Sequence, residues 1–96
     1  MRVAQVVGSV VSTIKAESLR GAKLLIVRET TLQGEPVGDP LVAVDAVGAG
    51  EGEVVLITRG SAARFTAQTT DTPVDAVIMA IVDTLEVAGQ TTFRAS

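Results

Sequence analysis

Ser12 and Lys15, three residues apart, are the nearest thing to a nucleophile and base in a chain with no His and no Cys. A serine nucleophile needs an adjacent base, and a lysine serves as one only when apolar surroundings keep it neutral. Nothing around Lys15 supplies such surroundings, so the pair reads as a strand-edge hydroxyl and a solvated cation. Three carboxylates, Asp45, Asp75 and Asp83, lie in or beside apolar runs, where a lone charge is costly. Paired carboxylates could perform glycosidase-like acid–base chemistry, but that work needs a set separation across a sugar-lined cleft. Phe65 and Phe93 are the only aromatic residues available to line one. The aspartates read instead as acceptors of backbone N–H groups at turns, or as partners of Arg59, Arg64 or Arg20. In an oligomer they could also pair across a subunit boundary. The run Gly48-Ala49-Gly50-Glu51-Gly52 invites comparison with a phosphate loop. It lacks the required glycine spacing and the Lys–Ser/Thr pair, and Glu51 and Glu53 would repel a phosphate. A tight turn or a close backbone approach accounts for it.

The elements that would hold these residues must come from a small aliphatic chain. Ninety-six residues make one domain, 47% apolar but only 2% aromatic, so the core is Val, Leu, Ile and Ala. Domains of this size commonly rely on a disulfide, a metal or subunit contacts. Without Cys or His, oligomerisation is the remaining staple, and a mean hydropathy of +0.43 suits a subunit that hides extra surface. Eleven acidic residues against eight dispersed basic ones give a net charge of −3, which argues against a nucleic-acid surface. The N-terminus alternates Val3, Gln5, Val7, Ser9, Val11 and Thr13, unlike a signal peptide. The apolar stretch 74–87 is interrupted by Asp75, Asp83 and Glu86 and is too short to span a bilayer. The default expectation is a cytoplasmic protein with no membrane partner and no cofactor.

Strands are expected over 2–14, 23–29, 41–47, 54–58 and 77–85. Gly8 inside the first marks a bulge or bend, and the unbroken run Leu24-Leu25-Ile26-Val27 suggests burial on both faces. Residues 33–40, rich in Gly and Pro, form a loop, and Gly60-Ser61-Ala62-Ala63-Arg64-Phe65 a short helix capped by Ser61. Residues 66–72 read as a polar loop, and 88–96 as a polar tail beyond a domain over 1–87. Five strands and one short helix suggest an all-β fold, a small OB-like barrel. That fold raises oligonucleotide binding as an alternative function, but the chain lacks stacking aromatics and a basic groove.

These motifs, in order, resemble the pentameric vertex proteins of bacterial microcompartments, the group of the carboxysome and ethanolamine-utilisation vertex proteins. The resemblance runs through Val6-Val7-Gly8-Ser9-Val10-Val11-Ser12-Thr13 and Leu19-Arg20-Gly21-Ala22-Lys23-Leu24-Leu25. It continues in Asp45-Ala46-Val47-Gly48-Ala49-Gly50-Glu51-Gly52-Glu53 and Arg59-Gly60-Ser61-Ala62-Ala63-Arg64. It closes with Pro73-Val74-Asp75-Ala76 and Ile78-Met79-Ala80-Ile81-Val82-Asp83. It implies a five-stranded barrel assembling head-to-tail into a cyclic homopentamer, a shell vertex surrounded by hexameric and trimeric shell proteins, and no catalysis. Under that reading Gly48, Ala49 and Gly50 pack near the axis or subunit boundary. Arg59, Gly60, Ser61 and Arg64 form a capped corner whose arginine reaches the next subunit, with Asp45, Asp75 and Asp83 as acceptors.

Overall fold

The computed structural model of the chain describes residues 1–13, 19, 21–60 and 75–95. Among them run seven strands: β1 (Arg2–Ser9), β2 (Lys23–Glu29), β3 (Leu41–Asp45), β4 (Val54–Arg59), β5 (Ala76–Ile81), β6 (Thr84–Val87) and β7 (Gln90–Arg94). The first five close into a barrel in the order β1-β2-β3-β5-β4, with β4 returning to β1. Every pairing is antiparallel except that of β3 with β5. This all-β OB-like architecture is the one the sequence suggests.

Side-chain alternation along each strand builds the interior. Ala4 and Val6, Leu25 and Val27, Ala43, Val55 and Ile57, and Ala76 and Ile78 point inward, joined by Ala49 from the loop after β3. Barrel diameter grows with strand number, so five strands enclose a narrow space that aliphatic residues fill without an aromatic. A second buried pair, Val44 and Val77, lies on the outside, covered by Leu19, Ala22, Leu24, Ala46 and Met79. The apolar run in β2 is thus explained: Leu25 and Val27 serve the interior while Leu24 and Ile26 face outward, half-buried.

Several boundaries differ from those the sequence suggests. The first strand ends at Ser9, not residue 14. Its register against β2 shifts between Val6 and Gly8, the bulge that Gly8 signals, and Val11 beyond it is 96% exposed. The third ends at Asp45 because that carboxylate turns the chain. The run over 77–85 divides into β5 and β6, parted at Val82, whose N–H donates to the Val54 carbonyl at 2.8 Å. Over its described part, 88–95, the expected polar tail is not plain. Ala88 and Gly89, both at positive φ (51° and 79°), form a two-residue turn of the type that matches strand twist, and β7 folds back on β6. The expected boundary at residue 87 therefore falls within a hairpin. Of the helix expected over 60–65 only Gly60 is described; the rest, and the loop 66–72, lie outside the described residues.

Candidate assembly surface

The Gly-rich corner after β3 is organised by one carboxylate. Asp45 Oδ1 accepts hydrogen bonds from the N–H groups of Val47 and Gly48, both at 3.0 Å. Its Oδ2 lies 3.7 Å from Lys23 Nζ, and only 1% of the Asp45 side-chain surface is exposed. Lys23 and Asp45 stand directly opposite each other on β2 and β3. The same ammonium donates to the Ala49 carbonyl at 2.9 Å, so Lys23 joins the carboxylate that starts the turn to the residue that plugs the barrel. Charge-assisted bonds of this kind are roughly twice as strong as neutral ones.

Gly48 and Gly50 serve different ends. Gly48 has φ of +80° and no neighbour within 4 Å of where a Cβ would stand. Its requirement is conformational: a side chain in the left-handed region costs about 1–2 kcal/mol. Gly50 donates its N–H to Glu53 Oε1 at 2.6 Å, and a Cβ there would lie 3.4 Å from that oxygen. Backbone bonds from Gly52 N–H to Val6 O (2.8 Å) and from Val6 N–H to Glu53 O (2.9 Å) tie the corner to β1.

The second corner lies at the other end of β2. Arg59 donates from Nη1 to Glu29 Oε2 at 2.6 Å, and Arg2 Nε lies 3.6 Å from Glu29 Oε1. Gly60 donates its N–H to the Asp75 carbonyl at 3.0 Å, and Asp83 accepts from Ala95 N–H at 2.8 Å through its own carbonyl. The structure thus gathers Asp45, Gly48, Ala49 and Gly50 into one corner and sets Arg59, Gly60 and Asp75 at another, with Asp83 beside the hairpin. Arg59 and Asp45 find partners inside their own chain, whereas Asp75 and Asp83 are exposed. Ser61 and Arg64 lie outside the described residues. Sequence reasoning missed Lys23, Glu29 and Glu53. The first two depend on strand register; Glu53, three residues after Gly50, carried a local signal.

Among the described residues, no group of three or more acidic side chains is placed to hold a metal ion, and no helix is long and apolar enough to cross a membrane. What stands out is a rigid corner of backbone and charge on a closed barrel. A family model described as "Ethanolamine utilisation protein EutN/carboxysome" matches residues 1–83. The chain belongs to this family. The carboxysome shell vertex protein CcmL of Thermosynechococcus vestitus is 47% identical over 85 residues, 88% of this chain and 86% of that protein. A solved structure titled "Carboxysome Subunit, CcmL" superposes with a TM-score of 0.91 at 44% identity, covering 100% of both chains. The structure of GrpN, a pentameric microcompartment shell protein of Rhodospirillum rubrum, gives a TM-score of 0.81 at 46% identity, over 92% of this chain and 100% of that one. The chain is a bacterial microcompartment shell protein of the vertex type, and its EutN/CcmL relatives favour that structural role over oligonucleotide binding.

Proposed function

We propose that five copies of this EutN/CcmL-family chain close into a ring that caps a vertex of the polyhedral shell, flanked by hexameric and trimeric shell proteins. In this reading it carries out no catalytic step. The observation that carries the reading is the likeness, at 46% identity and a TM-score of 0.81, to a relative whose structure is titled pentameric. A head-to-tail contact closes into a ring when its rotation divides the circle. A shell tiled by six-fold units needs five-fold units at its corners. The composition supports this role, because a 96-residue barrel with no disulfide gains from subunit contacts what its own core lacks. Asp75 and Asp83 are exposed and make no ion pair among the described residues, and in this reading they meet a cation of the next subunit or of a shell neighbour.

A nucleic-acid role suits the charges poorly. Arg2, Lys23 and Arg59 each have a carboxylate of their own chain within 4 Å, at 3.6, 3.7 and 2.6 Å. Phosphates would have to displace those partners. The test is electron cryomicroscopy of shells made from hexameric and trimeric shell proteins, with and without this chain. Five-fold density at the vertices is expected only when the chain is present. Vertices that look the same in both preparations would contradict the proposal.

A further inference from the structure

We infer that the hairpin β6–β7 is a strap that swings open from the closed barrel as one unit, bending at Val82–Asp83, while β1–β5 stay folded. The strap is built within a single chain and stands apart from the ring proposed above. The last tie to the barrel before the hairpin is the bond from Val82 N–H to the Val54 carbonyl at 2.8 Å. Asp83 follows outside any strand, and its carbonyl accepts from Ala95 N–H, which closes the base of the hairpin on itself. From Thr84 to Ala95, no hydrogen bond or ion pair among the described residues joins the hairpin to the barrel. The two strands form a sheet of their own. A two-stranded hairpin alone in water is marginally stable at best, so this one depends on its seat.

That seat is narrow. A cleft of about 370 Å³ lies between Glu53, Val54 and Val82 of the barrel side and Phe93 and Arg94 of the hairpin. A second, of about 190 Å³, sets Val3, Gln5 and Leu32 against Leu85, Thr92 and Phe93. Phe93 and Val54 border both clefts, so the meeting of the two bodies centres there. Protein interiors are close-packed, and unfilled space beneath an element forfeits the contacts that would fix it. Thr92 Oγ1 is buried and makes no hydrogen bond among the described residues, a cost that opening relieves by giving it water. Few buried contacts and no polar tie mark an element that opens below the free energy of global unfolding. Opening carries Leu85 and Phe93 off Val3 and Val54, all half-buried in the closed state, and uncovers two apolar faces together.

Amide hydrogen exchange of the purified chain in its native assembly, read at residue resolution, tests this. The amides of 84–94 are expected to exchange together, at least about tenfold faster than those of β1–β5. Phe93→Ala should raise the hairpin's rate at least about tenfold further and leave the barrel's unchanged, because the truncation removes apolar contacts from the closed state alone. Phe93→Leu should shift it the same way by less, and decides the matter if the alanine variant fails to fold. A hairpin as well protected as the barrel would overturn the inference. So would a rate that falls from the turn towards Leu85 and Phe93 at the base, the pattern of strands fraying in place. A Phe93→Ala variant that speeds the barrel as much as the hairpin would overturn it too, because the two would then open as a single body.

Discussion

Replacing Asp45 with alanine is expected to lower stability by about 2–4 kcal/mol: a hydrogen bond to a charged group is worth about 1.5–3 kcal/mol, and water at exposed Val47 and Gly48 replaces part of the two that are lost. The carboxylate is 1% exposed and accepts from Val47 and Gly48, so its loss leaves both N–H groups without that partner. It also frees Lys23 from its ion pair. Lys23→Met should cost less, because Asp45 keeps its two backbone donors and the lysine side chain is already 57% exposed. Denaturant unfolding measures both, at one fixed protein concentration because subunit association is linked to folding. An Asp45→Ala variant as stable as the parent, or less affected than Lys23→Met, would refute the account of the corner.

Ile57→Ala should be at least as damaging. Ile57 is 0% exposed, in the middle of β4, paired with Arg2 on one side and Ile78 on the other. Truncating a buried isoleucine to alanine costs about 2–5 kcal/mol through lost transfer energy and the cavity left behind. Domains of this length hold roughly 5–15 kcal/mol in all. Ile57→Ala is therefore expected to unfold part of the population at 37 °C, whereas Ile57→Val costs about 0.5–1.5 kcal/mol. Thermal unfolding followed by circular dichroism separates the two. Equal midpoints would mean that the barrel interior is less tightly filled than described.

How far the fold was legible depended on where its determinants lie. β2 and β4 could be bounded from the sequence because each is an apolar run between polar or Gly-containing flanks. The hairpin β6–β7 could not: its turn is Ala88-Gly89, without the Asn or Asp that usually marks such turns. Its strands are also only 4 and 5 residues long. At the corner, an aspartate followed by Gly48 and Gly50 signals a turn, and the structure places one there. The partner Lys23 lies 22 positions earlier and meets Asp45 only through the register of β2 on β3. Arg59 shows the same limit from the other side. Its charge suggested a carboxylate partner, but Glu29 of its own chain, which only the fold brings near, supplies it.

The corner's glycines carry a related lesson. The family resemblance placed Gly48 and Gly50 near the axis or a subunit boundary. Within the chain, each already has a reason to be glycine: positive φ at Gly48 and a carboxylate against Gly50. Subunit contact can add to those requirements but is not needed to explain them.

Native mass of the nuclease-treated chain is the shortest route to the central claim. The expected species is about five times the 9.9 kDa chain, unchanged by added oligonucleotide. Single chains, rings of another order, or a mass that rises with the oligonucleotide would contradict it.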